Sequence, residues 1–343
     1  RGLDNKTPLR TIDFQNNIAI SNKESSTVVS FIGAGNYSSS ILIPAFKKAG
    51  ATLYSIASNK GITGRFSGKR FGFKNTTTNV NSIFEDNLVN SVIITTRHNT
   101  HAKYVLETLK AGKNVFVEKP LCLNKEELLK IKNILESETI VSPSKNIFKP
   151  ILMIGFNRRF APQIKKIKSL ISNIKEPKSI IITVNAGFVD SENWTQDKEV
   201  GGGRIIGEAC HFIDLLRFLI GHPIYSWSKV SMNSAENDTF SINLEFNDGS
   251  IGTIHYFANG SKSFPKERIE VFTHGRILQL DNYRKLRGYG WPNFNKFNLI
   301  QQNKGQNECV ASFLKSVKDS INSPIPKEEI FEVMEASIEI AKD

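Results

Sequence analysis

The chain has 343 residues, 39% hydrophobic and 23% charged, a length beyond one comfortable core and a composition that excludes disordered, collagen-like and coiled-coil classes. Lys+Arg 45 against Asp+Glu 33 leave a formal charge of +12, which favours phosphate-bearing partners such as a nucleotide cofactor or a nucleotide-linked substrate. Nucleic acid is not expected: the cations are dispersed, and the clusters at 165–168 and 284–287 have neither the aromatic interleaving of a single-strand groove nor a helix-turn-helix pattern.

The apolar runs are far shorter than the roughly 18 residues a membrane helix needs, and no charged-then-apolar leader opens the chain. Cys122, Cys210 and Cys309 are too few and too scattered for a disulfide framework or a Cys-x-x-Cys zinc site. The expectation is a cytoplasmic protein with no metal and no membrane partner.

In chain order, residues 1–27 are polar, broken at Thr7-Pro8, and read as a linker or an edge strand. An apolar run from 28 to 32, a glycine turn, and Ile41, Leu42, Ala45 and Phe46 at helical spacing give strand, turn, helix. Strands over 52–57, 91–95 and 114–117 and a helix over 100–110 continue the alternation, which implies a parallel sheet with helices on both faces. The pattern over 123–137 predicts a helix opened by Asn124 with Glu127 three residues on, in the manner of a capping box. Residues 138–150, with Pro143 and Pro150, read as a loop before a strand over 151–155. From there the rhythm changes. Strands over 180–184, 226–231, 240–246, 251–257 and 268–273, with Asn247-Asp248-Gly249 as a hairpin turn, are interrupted by one helical pattern over 207–220 and followed by helices near 307–320 and 327–342. The expected architecture is α/β: a doubly wound parallel sheet over 28–150, then an α+β domain over 151–343 with a largely antiparallel sheet.

Four segments carry chemistry. In Gly33-Ala34-Gly35-Asn36-Tyr37-Ser38 the two glycines allow a tight turn and close approach to a pyrophosphate at a helix N-terminus, although Ser38 stands where a third glycine is usual. The second strand ends in Ser58-Asn59-Lys60 with Arg65 nearby and no carboxylate to take the ribose hydroxyls. NADP is therefore favoured over NAD, unless Lys60 is only a solvated loop charge. Glu118-Lys119-Pro120 follows a strand at the edge where open α/β sheets place ligands. After Gly201-Gly202-Gly203, Glu208, His211 and Asp214 stand at i, i+3 and i+6 of a helical pattern. Glu208 then shares a face with His211 and can orient its imidazole, or it serves only as a charge at a helix N-terminus.

The glycine turn, the Thr95-Thr96-Arg97-His98-Asn99-Thr100-His101 segment, Glu118-Lys119-Pro120, Asn157-Arg158-Arg159-Phe160, and the glycine triplet before a helical His resemble, in that order, the glucose-fructose oxidoreductase, inositol dehydrogenase and MocA family. The resemblance runs from about residue 28 to the C-terminus. It implies an N-terminal Rossmann domain, a C-terminal domain with an open-faced sheet, and hydride transfer between a nicotinamide and a sugar, nucleotide-sugar or cyclitol carbon bearing a hydroxyl or carbonyl. It also implies Lys119 and His211 as catalytic residues and Gly33, Gly35, Asn36, Tyr37, Thr96, Asn99, His101, Glu118 and Lys119 as cofactor contacts, with Ser58 and Lys60 at the ribose. Glu208 is a third catalytic candidate, and Arg97, Arg158 and Asp214 are candidates for holding substrate. Two departures stand out: Gly207 where many members have Asp, and Arg97 where proline is common. The variant segments resemble a branch in which this module follows a zinc-type alcohol dehydrogenase module and which is associated with surface polysaccharide synthesis. A homodimer or homotetramer is implied. A redox-neutral enzyme with retained cofactor and a non-catalytic dinucleotide-binding sensor remain alternatives to net oxidation.

Overall fold

The computed structural model describes residues 10–14, 27–137, 149–234 and 238–342; most of 1–27 and the Pro143 part of the expected loop lie outside the described residues. The first sheet holds β1 (Thr11–Asp13), β2 (Val28–Ile32), β3 (Thr52–Ala57), β4 (Asn75–Thr77), β5 (Ser91–Ile94), β6 (Asn114–Val117) and β7 (Leu152–Ile154), in the spatial order β1-β4-β3-β2-β5-β6-β7. Strands β2 to β7 pair in parallel, and β1 lies antiparallel on the edge against β4. β2, β5 and β6 are buried along their whole length, as strands covered on both faces must be. The covering helices are α1 (Ile43–Lys48), α2 (Ile62–Phe71), α3 (Asn81–Glu85), α4 (His101–Lys110) and α5 (Lys125–Glu136). This sheet extends past residue 150, because Leu152, Met153 and Ile154 supply a fully buried apolar strand beside β6. At the start of α5, Asn124 Oδ1 accepts from the Glu127 amide at 2.9 Å, while the Glu127 carboxylate accepts from Leu123 N–H at 3.0 Å, one residue outside the usual capping-box partner.

The second sheet holds β8 (Ser179–Asn185), β9 (Ile224–Ser231), β10 (Phe240–Phe246), β11 (Ile251–Phe257), β12 (Glu267–Thr273), β13 (Arg276–Asp281), β14 (Lys285–Tyr289) and β15 (Lys296–Asn298). Its order is β15-β14-β13-β12-β8-β11-β10-β9, antiparallel throughout except for the parallel pair β8–β11. Ile180, Ile182 and Val184 of β8 and Phe240, Ile242, Leu244 and Phe246 of β10 alternate inward and are buried. The buried side is covered by α7 (Cys210–Ile220), which packs on β11, and α9 (Lys327–Lys342), which packs on β9 and on α7; α6 (Pro162–Ile171) and α8 (Gln306–Lys318) complete the helices. The other face shows Tyr225, Ile251, Phe257, Phe272 and Tyr289 to solvent.

α8 returns to the first sheet. Phe313 meets Phe46 and Phe116 edge-on at 6.2 and 5.5 Å, and Phe46 also meets Phe31 and Phe116 edge-on, both at 5.4 Å. Such pairs contribute about 0.5–1.5 kcal/mol each beyond area burial, and the two made by Phe313 tie α8 to the first sheet and its covering helix. Among the described residues no helix is long and apolar enough to cross a membrane.

Candidate functional site

The carboxyl ends of β2, β3, β5 and β6 and, through Glu208 and His211, the start of the α7 region open onto one cleft of about 1440 Å³. At its centre Gly33 has φ +109, and a Cβ there would sit 2.6 Å from the Thr95 carbonyl oxygen. Only glycine lets the ends of β2 and β5 approach this closely. A Cβ on Gly35 would meet no atom within 4 Å, so the turn faces open space. Ser38–Leu42 then forms a π-helical turn leading into α1; Gly35 and Asn36 are exposed at the turn, and Tyr37 exposes its ring while its hydroxyl meets Gln306. Burial of the Tyr37 hydroxyl, then the Glu118 carboxylate, push its pKa upward.

One end of the cleft is lined by Ser58, Asn59, Lys60, Thr63 and Thr78. Ser58 Oγ accepts from Gly64 N–H at 3.0 Å, inside the first turn of α2. Lys60 is exposed on the rim, whereas Arg65 is not among the lining residues.

At the other end lie Thr96, Arg97, His98, Asn99, Glu118, Lys119, Arg158, Trp194, Glu208, His211 and Lys304. Lys119 Nζ donates to the Gly207 carbonyl oxygen, joining the first domain to the turn before α7. His211 is buried, its Nδ1 has no hydrogen-bond partner, and its pKa is held well below the ordinary value by burial, then by Arg158, Lys119, Lys304 and Lys266. It is therefore a neutral imidazole in the physiological range. Thus Lys119 and His211 come together across the two domains. The structure also brings Arg97 to the rim, with its guanidinium 5.8 Å from the Trp194 ring centre.

Two expectations need correction. Glu208 does not orient His211. Residues Ile205–Ala209 form a π-helical turn ahead of α7, whose larger number of residues per turn breaks the i, i+3 alignment that an α-helix would give. The Glu208 carboxylate instead accepts from Tyr256 Oη at 2.6 Å and Lys266 Nζ at 2.7 Å, with Arg204 at 3.4 Å. Asp214, unlike Glu208, does not line the cleft: it is fully buried and accepts from Arg159 at 3.0 and 2.5 Å, because one further helical turn carries it away from His211 into the core. The His101 ring lies against two carbonyls, Nδ1 2.6 Å from Pro120 O and Nε2 3.1 Å from Thr96 O. Both ring nitrogens thus face the backbone, and His101 buckles the Thr96 turn to the Glu118-Lys119-Pro120 segment.

Arg158 lines the cleft and is also held at 2.9 Å by both oxygens of the buried Glu267, so it is a fixed cation. His98, Trp194, Lys266, Glu267 and Lys304 belong to the site without a motif that gives them a role in the sequence. His98 Nδ1 contacts Gly201 O at 2.7 Å and its ring centre is 4.8 Å from that of Trp194; burial, then Lys119, lower its pKa to about 3. Only its place in the 95–101 segment hinted at a role. Lys304 Nζ donates to Glu267 at 2.6 Å, and no spacing links residues so far apart in sequence.

Glu118 packs against Gly155, where a Cβ would lie 2.5 Å from Oε1, and burial pushes its pKa to about 7. A folded-state value above the unfolded 4.5 means that the protonated form stabilises: the contribution is full below pH 4.5 and is lost as pH rises through 7. In the cofactor-free protein, urea unfolding of the wild type relative to Glu118→Gln is expected to weaken by about 2 kcal/mol between pH 4.5 and 8, after allowance for solvent screening. Parallel pH profiles for the two proteins would refute this.

Residues 28–142 match the family model described as an oxidoreductase family NAD-binding Rossmann fold, and residues 168–285 match its C-terminal alpha/beta domain. A myo-inositol 2-dehydrogenase of Thermotoga maritima is 27% identical over 286 residues, 78% of this chain and 81% of its own length. The fold is shared with levoglucosan dehydrogenase solved with NADH and levoglucosan, at TM-score 0.79 and 19% identity over 92% of this chain and 97% of that one. It is also shared with UDP-N-acetylglucosamine 3-dehydrogenase from Acidithiobacillus ferrooxidans, at TM-score 0.75 and 16% identity over 92% and 96% of the two chains.

Proposed function

The chain belongs to the glucose-fructose oxidoreductase, inositol dehydrogenase and MocA family of NAD-binding oxidoreductases, and we propose that it exchanges hydride between a nicotinamide cofactor and a hydroxyl- or carbonyl-bearing carbon of a sugar, nucleotide sugar or cyclitol. The observation that carries this reading is the convergence of Lys119 and the neutral His211, from different domains, on a cleft that continues to the glycine turn and to Ser58. The open face at Gly35 and the polar rim at Ser58 and Thr63 fit a dinucleotide laid across the ends of the strands. When bound, the cofactor supplies the hydride acceptor or donor. His211 takes the hydroxyl proton as the carbonyl forms, the Lys119 ammonium stabilises the oxygen as it gains negative charge, and Arg97 and Arg158 orient the substrate. A panel of sugars, sugar acids and cyclitols with NAD⁺ and NADP⁺, followed at the reduced-nicotinamide absorbance band, tests the reading. No turnover with any of them, in protein that binds NADH, would sink it.

The same reading favours NADP. Ser58 and Asn59 offer only neutral hydrogen bonds to a ribose and Lys60 adds a cation; one charge-assisted contact, about 1.5–3 kcal/mol, gives roughly a tenfold to hundredfold preference. Ser58→Asp keeps an acceptor for Gly64 N–H while repelling a 2′-phosphate, so the NADPH to NADH affinity ratio is expected to fall at least tenfold by fluorescence titration. Tighter NADH than NADPH binding in the wild type would reverse the assignment. Assembly into a homodimer or homotetramer through the outer face of the second sheet is part of the proposal, since Tyr225, Ile251, Phe257, Phe272 and Tyr289 stand exposed there.

A further inference from the structure

The substrate end of the cleft carries more positive than negative charge. Four cations line it, Arg97, Lys119, Arg158 and Lys304, and two more, Arg204 and Lys266, stand behind them against Glu208. Two carboxylates, Glu208 and Glu267, are tied into this group and each is shared by two of the cations: Glu267 by Arg158 at 2.9 Å and Lys304 at 2.6 Å, Glu208 by Lys266 at 2.7 Å and Arg204 at 3.4 Å. Both stay ionised, with pKa values lowered to about 2. Glu118, the third carboxyl, is pushed up to about 7 and so is only partly charged at neutral pH. Arg204 Nε is buried with no hydrogen-bond partner. Lys304 is lowered by burial and, after the opposing pull of Glu267, by Arg158 and Lys266, so the cations repel one another.

A partly buried excess of like charge is costly unless something neutralises it. We propose that the substrate supplies the neutralising group: an anion, carboxylate or phosphate, carried on the reacting sugar itself. This deepens the reading of the cleft as a hydride-exchange site and rests on it. The anion belongs on the sugar, not on a remote leaving group, because four of these cations, Arg158, Lys119, Lys304 and Lys266, are the ones that act on His211. A charge that engages them lies beside the hydroxyl whose proton His211 takes. Glu208 and Glu267 hold four of the cations in place; Lys119 is held by the Gly207 carbonyl instead, and Arg97 stacks on Trp194 at the rim.

The test uses protein loaded with NADH, so that the cofactor's own phosphates are already in place. D-glucuronate, glucose 6-phosphate, glucose and UDP-glucose are titrated at fixed ionic strength, with nicotinamide fluorescence and calorimetry as readouts. Glucuronate or glucose 6-phosphate is expected to bind at least tenfold more tightly than glucose, and the tighter of the two identifies the anion as carboxylate or phosphate. Lys304→Gln and Arg97→Gln are each expected to remove most of that ratio, weakening the acidic sugar far more than glucose. Arg97, on the surface, carries the comparison if loss of Lys304 disturbs the Glu267 cluster. Equal binding of acid and neutral sugar, tightest binding by UDP-glucose, a ratio unchanged in both variants, or no measurable binding of either acid overturns the inference. Failure of the hydride-exchange reading looks different: an acid that binds with these ratios yet is oxidised with neither NAD⁺ nor NADP⁺ leaves the anion site standing and removes the reaction.

Discussion

Lys119→Ala is expected to lower kcat by about 10²- to 10⁴-fold, the range for loss of a positioned acid–base or charge-stabilising group, and to leave NAD(P)H affinity within a few fold. The reason lies in its attachments. Lys119 follows β6 directly, and its ammonium reaches across the cleft to the Gly207 carbonyl, four residues before His211. With one backbone acceptor engaged, the ammonium keeps two protons for a substrate oxygen. Loss of Lys119 leaves the glycine turn, Ser58 and α2 untouched, so cofactor binding survives. It also removes a cation that helps to depress His211, so the acidic limb of the kcat/KM profile in the variant is expected to move to higher pH. Single-turnover absorbance with the best substrate of the panel, alongside an NADH titration, measures both. A variant with unchanged kcat would take Lys119 out of the chemistry, and one that no longer bound NADH would make it a cofactor ligand.

The first domain was legible because its signals are local. The run from Val28 to Ile32, the glycine turn and the Asn124 cap each follow from a few adjacent residues, and the structure places a strand, a tight turn and a capped helix there. The hairpin turn at Asn247-Asp248-Gly249 joins β10 and β11 for the same reason. Elements without such punctuation went unread. β13, β14 and β15 are short strands, and the outward Lys285 and Arg287 of β14 fall in the cation cluster at 284–287, which masks the period-2 signal. α6 was legible in principle, with Pro162 at its first turn and Ile164, Ile167 and Ile171 buried on one face.

At the site, sequence order revealed the residues that sit on strand ends and in the glycine turn, and it failed wherever partners are distant. The Glu208–His211 pairing assumed a regular α-helix. The chain instead spends its first turn as a π-helix, so Glu208 turns towards Tyr256 and Lys266 on the second sheet. The Arg158–Glu267–Lys304 cluster joins residues 109 and 37 positions apart. Only the folded sheet brings those charges together, and no periodicity encodes it.

Asp214→Ala is expected to cost about 3–5 kcal/mol of stability, the range for breaking one side of a buried ion pair, without raising KM in the protein that remains folded. Arg159 is almost wholly buried and is held by Asp214 at 3.0 and 2.5 Å and by Glu329 at 2.7 Å, with Phe218 beneath its guanidinium at 5.0 Å. With Asp214 gone, the guanidinium keeps only Glu329, whose carboxylate also lies 3.8 Å from Arg217. The unsatisfied N–H groups then face core atoms instead of water. The penalty is chiefly that stranded charge, so Asp214→Leu combined with Arg159→Met, which removes both charges and keeps the volume, is expected to recover most of the loss. Urea unfolding of the two single variants and the double variant supplies the cycle, and substrate titration supplies the second readout. Asp214→Ala protein as stable as the wild type but with KM raised tenfold or more would return Asp214 to the substrate site; full stability with unchanged KM would mean that Glu329 alone satisfies Arg159.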